Sequence, residues 1–453
     1  MGDDTTNKTE TAAEELRSQE SLWWGLVLLL VYLALLSAAP LLAHHTREVF
    51  PGFVLGAARV MGLVGFTILA IQVALGSRLK FIDRPWGLDS VMRFHKWMAV
   101  AAFFMLLLHP LTVFIYYAYP LGVGPGTAFG MIRVFYGGMA ALAILAAVVM
   151  FSLLFKRLGI QYQLWRNTHK AAVAVVVVGF FHGLGAASEA MTVSMRLYFI
   201  VLFAAAMALF FYGNIYKKIR GRSRWIVESV MGETHDTYTL TLQPENGQRF
   251  PYRPGQFIFL RLNRPGRPSE EHPFTISSSP GETPSIAVTI KESGDFTDTI
   301  SQTRPGDRAL VDGPFGRFSF QFDSPESFVF IAGGVGITPI LSMMRRLRAA
   351  GDRRRGVLVY ANRTERDIIA REELDAMPDN ISVHYVLDSS PGQHWRGYTG
   401  RVNAGIIAEC AGDIMAGSDI YLCGPPGMMK SVRAQLRSLG VSGSRIHMEK
   451  FTL

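Results

Sequence analysis

Four histidines lie in two strongly apolar stretches in the first half of the chain. His95 and His109 are fourteen residues apart in MRFHKWMAVAAFFMLLLHPLTVFIYY, and His169 and His182 are thirteen apart in THKAAVAVVVVGFFHG. An ionisable side chain within a membrane-length apolar segment is costly and marks a functional site. At about 1.5 Å per residue, each pair spans roughly 20 Å along a helix. Two parallel helices would place one histidine from each helix at each of two depths, which suits two bis-histidine haems.

The second histidine pair does not fit a straight helix. Fourteen residues leave His95 and His109 within about 40° of one helix face, whereas thirteen leave His182 about 140° from His169. We therefore expect a kink or π-bulge near Gly179, or a helix that approaches its haems obliquely. A single intramembrane histidine is as readily explained as a hydrogen-bonded packing residue, but two matched pairs favour ligands.

The apolar residues are concentrated before about residue 217. Of the 453 residues, 49% are hydrophobic and 18% are charged. A polar tail over residues 1–20 lacks the layout of a cleaved signal peptide. Six segments that follow it are long enough, or nearly so, to span a bilayer. They run Leu22–Leu42, Phe53–Leu75, Met92–Tyr117, Val134–Phe155, His169–Leu184 and Val193–Tyr212.

Basic residues set the orientation of these segments. The loops after the second and fourth segments are basic, as is YKKIRGRSR after the sixth, and the alternate loops hold isolated cations. The positive-inside rule then puts both termini in the cytoplasm of a plasma (inner) membrane protein. His95 pairs with His169 on the inner side, and His109 with His182 on the outer side. The net charge of +9 reflects this topology, so we expect the lipid bilayer and no nucleic acid as partners.

The second half has the pattern of soluble α/β sequence. From about Trp225, the segments IVESV, TYTLTLQP, QFIFLRL and SIAVTI read as short strands separated by turns, which predicts an antiparallel barrel. After residue 322, strands and helices alternate, which predicts a parallel sheet covered by helices. The predicted organisation is a polar tail (1–20), a six-helix membrane bundle (21–220), a β-barrel (221–322) and an α/β domain (323–453).

Two glycine-containing motifs indicate nucleotide binding. AGGVGITPILSMMRRL follows an apolar strand and opens a helix, so its backbone amides and helix N-terminus can hold a phosphate. YLCGPPGMM follows a later strand, and ligands of open α/β sheets bind at the carboxyl ends of strands. A tight structural turn is the alternative for the first motif alone. The two cysteines, Cys410 and Cys423, form no iron–sulfur set and no disulfide framework.

Several motifs occur together in the order RPGQF, HPFTISSSP, SGDFT, VDGPFG, AGGVGITP and LCGPP. This set resembles the ferredoxin–NADP reductase-like module of NADPH oxidases and ferric reductases, and the histidine spacing resembles the ferric reductase transmembrane domain of the same family. The resemblance implies two haems b, FAD and a nicotinamide dinucleotide. It implies FAD contacts at His272, Pro273, Phe274, Thr275 and Thr297, with Phe451 over the flavin ring. It implies NAD(P)H contacts at Gly333, Gly334, Gly336, Thr338, Pro339, Cys423, Gly424 and Pro425.

The choice between NADPH and NADH depends on the segment after VLVYAN. Arg363 could bind a 2′-phosphate through its planar guanidinium, which favours NADPH. This stretch also resembles NADH-using cytochrome b5 reductases, which share the acid at Asp367, and that acid could instead accept a ribose hydroxyl. Arg363 could also simply pair with Glu365 or Asp367. We expect NADPH, because the cation departs from the NADH-type pattern.

The expected function is that of a transmembrane oxidoreductase. Electrons would pass from cytoplasmic NAD(P)H through FAD and two haems to an acceptor outside, either dioxygen, giving superoxide, or a ferric chelate. An external partner protein is an alternative acceptor. A histidine-lined metal transporter with a nucleotide-binding regulatory domain is an alternative of another class, but it predicts no flavin motifs, whereas HPFTISSSP and SGDFT are both present.

Overall fold

The structure is a computed structural model. It describes residues 23–38, 40–42, 53–121, 134–186, 192–217, 223–267, 269–281, 283–322, 325–388 and 395–450. The chain divides into two compact units, Met1–Gly221 and Arg222–Leu453.

The first unit is helical. Six of its helical segments are long and apolar enough to cross a membrane, as the sequence predicts. Their apolar faces pack into a core that includes Phe66, Phe180 and Phe199. The helices are α1 (Trp23–Leu42), α2 (Phe53–Gly76), the short α3 (Lys80–Trp86), α4 (Leu88–Leu121), α5 (Val134–Leu154), α6 (Tyr162–His169), α7 (Val173–Ala186) and α8 (Val193–Phe211), which ends in a π-helical turn at Tyr212–Tyr216.

The fifth spanning segment is interrupted next to its first histidine. Helix α6 ends at His169, and a 3-10 turn over Lys170–Ala172 leads into α7. The irregularity therefore lies immediately after His169, and it is neither a π-bulge nor located at the predicted Gly179. A 3-10 turn has 3.0 residues per turn, so three residues add about 60° of rotation and reduce the predicted offset between the two rings to roughly 80°.

The second unit begins with an antiparallel sheet whose spatial order is β4-β3-β6-β1-β2-β5. A bridge between Ile276 and Val288 joins its two edges, which closes the predicted barrel. Alternating side chains of these strands fill its interior, including Trp225, Leu240 and Ile258. The strands are β1 (Ser223–Thr234), β2 (Thr237–Pro244), β3 (Phe257–Asn263), β4 (Glu271–Thr275), β5 (Ile286–Lys291) and β6 (Arg308–Phe315).

A parallel sheet with the order β10-β9-β8-β7-β11-β12 follows the barrel, as the alternating pattern predicts. Its central strands are buried on both faces, which explains their continuous apolar runs. The strands are β7 (Ser327–Gly333), β8 (Gly356–Asn362), β9 (Ile381–Leu387), β10 (Tyr398–Thr399), β11 (Ser418–Cys423) and β12 (Ile446–Glu449). The helices are α9 (Ile337–Ala349), α10 (Arg371–Asp375), α11 (Ala404–Ala411) and α12 (Pro426–Ser438).

Candidate functional site

The four histidines of the membrane unit form two pairs of facing rings. The ring centroids of His95 and His169 are 6.1 Å apart, with their planes at 68°. Those of His109 and His182 are 6.4 Å apart, with their planes at 75°. The structure thus combines the rings in the pairs predicted from their spacing. Their role as ligands stays a prediction.

The separation of the rings fits one metal ion within each pair. Histidine nitrogens bind first-row transition metals at about 2 Å, and the ring centre lies roughly 1 Å behind the nitrogen, so two rings sharing one ion have centres about 6 Å apart. Edge-to-face rings in direct contact have similar separations, as Tyr198 and Phe199 do at 6.5 Å and 65°. Both separations are thus compatible with one shared metal ion.

The Nδ1 atom of His109 faces a polar group of a neighbouring helix. His109 Nδ1 lies 2.8 Å from the backbone carbonyl oxygen of Ala58, to which it can only donate. This fixes the tautomer, because a protonated Nδ1 leaves the lone pair of a neutral ring on Nε2, the usual arrangement in a metal-binding histidine. The His95 ring lies at the backbone of Gln72, and its Nδ1 has no hydrogen-bond partner among the described residues.

His169 is held by two side chains. Its Nδ1 lies 3.0 Å from Ser152 Oγ, which also accepts a hydrogen bond from Trp165 Nε1 at 3.2 Å. The Trp165 ring stacks on the imidazole with a centroid distance of 5.3 Å and an interplanar angle of 30°. Ser152 and Trp165 thus fix the orientation of this ring, and sequence reasoning did not identify either of them.

Glycines provide room for the rings. A methyl group added at Gly138 of α5 would lie 2.7 Å from Cε1 of His182, and one at Gly62 of α2 would lie 3.1 Å from Cε1 of His109. One at Gly76 would lie 3.8 Å from Cε1 of His95. These glycines were also missed, although Gly62 and Gly76 repeat the fourteen-residue spacing of the histidines on α4.

The residues predicted to contact flavin lie close together on the barrel. His272, Pro273, Phe274 and Thr275 are all in β4. The His272 ring stacks on Phe296 at 4.2 Å, and Phe296 directly precedes Thr297, which begins the 3-10 segment Thr297–Gln302. The structure thus joins HPFT and GDFT at one surface. Phe451 lies outside the described residues.

Two charged side chains support this surface and were missed from the sequence. Glu270 Oε2 lies 3.1 Å from His272 Nε2. Arg264 is buried, donates hydrogen bonds to the Thr299 carbonyl and hydroxyl, and places its guanidinium 5.1 Å from the Phe296 ring centroid. Arg264 thereby anchors the segment that begins at Thr297.

The two predicted nucleotide-binding motifs meet at the carboxyl end of the parallel sheet. Gly333 ends β7, a 3-10 turn covers Gly334–Gly336, and α9 follows with Thr338 and Pro339 buried in its first turn. A methyl group at Gly336 would lie 2.5 Å from the Cys423 carbonyl oxygen and 2.7 Å from the Gly424 Cα, so the two backbones are in direct contact. Pro425 follows Gly424 and precedes α12.

Cys423 is fully buried at this contact. Burial, together with the negative charge of Glu449, raises the pKa of its thiol well above the ordinary value. The side chain is therefore a neutral thiol at physiological pH.

The acids next to Arg363 have other partners. Glu365 Oε1 accepts a hydrogen bond from Arg371 Nη1 at 3.0 Å, and Asp367 Oδ2 accepts from the backbone and hydroxyl of Thr364 at 2.9 and 2.7 Å. The pairing of Arg363 with Glu365 or Asp367, one of the alternatives from the sequence, is therefore not observed. Arg363 is exposed beside the end of β8.

An arginine of α9 links the barrel to the α/β domain. Arg345 donates to the Ser277 carbonyl at 2.7 Å and forms a two-pronged ion pair with Glu373. Ser342, also on α9, donates to the Ser278 carbonyl at 2.7 Å. Burial raises the pKa of Glu373, but the hydrogen bonds and charges of Arg345 and Arg348 outweigh it and hold the pKa below its ordinary value.

Sequence signatures of three domain families match the chain. The ferric reductase like transmembrane component matches residues 61–180, the FAD-binding domain matches residues 227–319, and the oxidoreductase NAD-binding domain matches residues 330–434. The first match includes His95, His109 and His169 but not His182, and the other two include every described residue predicted to contact FAD or NAD(P)H.

Individual relatives match the second unit. The stachydrine N-demethylase reductase subunit Stc4 of Rhizobium meliloti (strain 1021) is 31% identical over 227 residues, which is 49% of this chain and 64% of that protein. Ferredoxin–NADP reductase B of Sorangium cellulosum (strain So ce56) is 31% identical over 224 residues, 47% of this chain and 90% of that protein. The cytochrome b5 reductase domain of Ulva prolifera nitrate reductase is 24% identical over 51% of this chain and 97% of that chain, with a TM-score of 0.45.

These matches fall on both units in the order in which the structure arranges them. The apolar bundle with its paired histidines carries one signature, and the barrel and parallel sheet carry the other two. The chain therefore belongs to the family of membrane oxidoreductases that join a ferric reductase-like transmembrane domain to a ferredoxin–NADP reductase-like module.

Proposed function

We propose that this protein oxidises NADPH at the cytoplasmic face of the plasma (inner) membrane and delivers the electrons, one at a time, to an acceptor on the outer side. The proposed cofactors are one FAD and two haems b, and the proposed acceptor is dioxygen or a ferric chelate. The observation that carries the proposal is the pair of ring separations, 6.1 and 6.4 Å, within an apolar bundle of a chain that also has a reductase module.

The histidines would hold the haems from both sides. His95 and His169 would bind the inner iron, and His109 and His182 the outer one. A haem iron with two histidine ligands exchanges one electron and has no open position for a further ligand. The carbonyl of Ala58 and the hydroxyl of Ser152 orient the rings of His109 and His169 through Nδ1.

The reductase module would bring the nicotinamide to the flavin. His272 to Thr275 and the segment beginning at Thr297 would hold FAD, because they form one surface of the barrel. The turn Gly333–Gly336 and the segment Cys423–Pro425 would hold the dinucleotide at the carboxyl end of the sheet. The bonds of Arg345 and Ser342 to the barrel fix the position of this turn relative to β4.

The orientation follows from charge, since the basic loops and the stretch YKKIRGRSR would face the cytoplasm with both termini. A reporter fused to either terminus tests this part. A terminus that proves accessible from outside intact cells would contradict it.

Arg363 supports the choice of NADPH. Its exposed guanidinium is not paired with Glu365 or Asp367, so it can contact a 2′-phosphate. We expect Arg363→Gln to lower kcat/KM for NADPH by roughly tenfold or more and to change that for NADH little, because a charged hydrogen bond contributes about 1.5–3 kcal/mol. Arg366→Gln, at an exposed neighbour, is the control. A preference for NADPH that survives Arg363→Gln would remove Arg363 from the site.

The absorption spectrum of the purified full-length protein is the decisive experiment. We expect flavin and haem b bands in a ratio of one to two, with the haem reduced by NADPH under anaerobic conditions. Superoxide and reduced chelate are then measured after admitting dioxygen or a ferric chelate. Flavin without haem would contradict the proposal, and haem that transfers electrons to neither acceptor would point to an external partner protein.

A further inference from the structure

The surroundings of the two histidine pairs repeat with a shift of fourteen residues along both helices. At the outer pair, His109 faces the carbonyl of Ala58, with Gly62 one turn further along α2. At the inner pair, the His95 ring lies at the backbone of Gln72, with Gly76 one turn further along. Helices α2 and α4 run in opposite directions. Moving fourteen residues back along α4, from His109 to His95, and fourteen residues forward along α2, from Ala58 to Gln72, therefore leads from the outer site to the inner one.

The side chains at one pair of equivalent positions on α2 differ between the two sites. Ala58 is 0% exposed and presents only a methyl group, whereas the equivalent Gln72 carries a carboxamide and is 7% exposed. Both Nε2 and Oε1 of Gln72 are buried, and neither has a hydrogen-bond partner among the described residues. The amide is therefore the chemical difference between the inner and outer sites on this face of α2.

A buried amide without a partner is costly, and it is most costly in an apolar bundle that water does not enter. The side chains of helices lean toward the N-terminus. The carboxamide of Gln72 therefore leans from the level of His95 toward the level of His109.

We propose that the carboxamide of Gln72 lies beside the haem that His95 and His169 would hold and, through its dipole, lowers the reduction potential of that haem relative to the outer one. This inference rests on the proposed function. The polarity of the haem surroundings is one of the means by which a protein sets a haem potential. A haem core with two neutral histidine ligands carries one positive charge when ferric and none when ferrous, so a nearby polar group that can turn its dipole stabilises the ferric form.

The asymmetry gives the electron a direction. With Gln72 beside the inner site and Ala58 beside the outer one, the inner haem has the lower potential, and electrons move outward energetically downhill. The residue that produces this difference makes no bond to iron.

The test is a spectroscopic redox titration of the full-length protein carrying Gln72→Leu, compared with the parent chain. We expect two haem components in the parent. In the variant, we expect the reduction potential of the lower-potential component to rise and that of the higher-potential component to stay unchanged. The difference between the two potentials should therefore become smaller. Gln72→Met, which keeps the unbranched shape, gives the same readout if leucine disturbs the packing. The titration is repeated in a His109→Leu background, which leaves only the inner haem.

Thr67→Val is the matched control. Thr67 is a second fully buried polar residue on α2, but its hydroxyl bonds the Leu63 carbonyl and Tyr198, away from the histidines. We expect both potentials to be unchanged in this variant. An inner component that does not move in Gln72→Leu and Gln72→Met, or that moves equally in Thr67→Val, overturns the inference. A parent protein without haem overturns the proposed function instead.

Discussion

Polar side chains are used differently in the two units of this protein. In the membrane unit, hydroxyls such as those of Thr67 and Ser77 bond carbonyls four residues earlier in their own helix. Thr67 and Ser77 also bond α8, through the Tyr198 hydroxyl and the Leu209 carbonyl. In the second unit, charged side chains connect different elements, as Arg345 connects α9 to Ser277, just after β4, and to α10. An apolar environment leaves a polar group either paired or functional, so the four histidines and the carboxamide of Gln72, which has no partner among the described residues, are the groups to examine.

The largest expected effect concerns the outer histidine pair. His109→Leu or His182→Leu should remove one of two haems, because the remaining histidine cannot hold the iron from both sides. Haem per polypeptide should fall by about half, while flavin reduction by NADPH continues. His95→Leu and His169→Leu should instead leave the outer haem oxidised in the presence of NADPH.

His235→Leu is the control for these variants, since His235 is an exposed histidine of the second unit. Full haem content in all four variants would show that the ligand assignment is wrong.

In the second unit, Gly336→Ala tests the predicted dinucleotide site, as the histidine variants test the haem sites. The added methyl group would lie 2.5 Å from a backbone oxygen that cannot easily move, and overpacking of this kind costs about 1–3 kcal/mol. We expect NADPH to reduce the flavin more slowly by roughly tenfold, with normal FAD content, in stopped-flow absorbance. Gly427→Ala, where no atom lies within 4 Å of the added group, is the matched control. Equal rates in both variants would place the dinucleotide elsewhere.

A smaller effect is expected at Gly138, beside the outer pair. An alanine there would press on the His182 ring at 2.7 Å, whereas one at the adjacent Gly137 would meet Cβ of the same residue at an ordinary 3.7 Å. Displaced groups around a metal ligand typically cost 10–100-fold in affinity. We expect Gly138→Ala to lose part of the outer haem during purification and Gly137→Ala to retain it. Equal retention would argue against a fixed ring orientation at this site.

The smallest effect concerns the link between the barrel and the α/β domain. Because the folded-state pKa of Glu373 is depressed, its contribution to stability is present above the ordinary value of 4.5 and is lost as pH falls through the folded pKa. Glu373→Gln should therefore lower the Tm of the full chain by a few degrees at neutral pH, and the difference should shrink in acid. Glu372→Gln, at an exposed neighbour, should show neither effect. A Tm difference independent of pH would assign the effect to packing.

The sequence predicted the histidine pairing because the geometry of a single helix fixes the distance between His95 and His109. It could not locate the break after His169, since Lys170–Ala172 contains no glycine or proline. The fourteen-residue repeat of Gly62 and Gly76 was visible, but it has meaning only once α2 is known to pack on α4. The predicted strands were found because alternating apolar residues fill the barrel. Arg345 and Glu373 are 28 positions apart in the sequence, so no short-range sequence pattern indicates their ion pair.

The burial of both cysteines has a consequence for the lifetime of the protein. Cys410 and Cys423 are buried as free thiols, and burial raises the pKa of each. Only the thiolate reacts readily with peroxides, and the first product, a sulfenic acid, leads on to irreversible oxidation. An enzyme with the proposed function would release single electrons near dioxygen and so generate oxidants, and this chain keeps both cysteine thiols in the form that such oxidants attack most slowly.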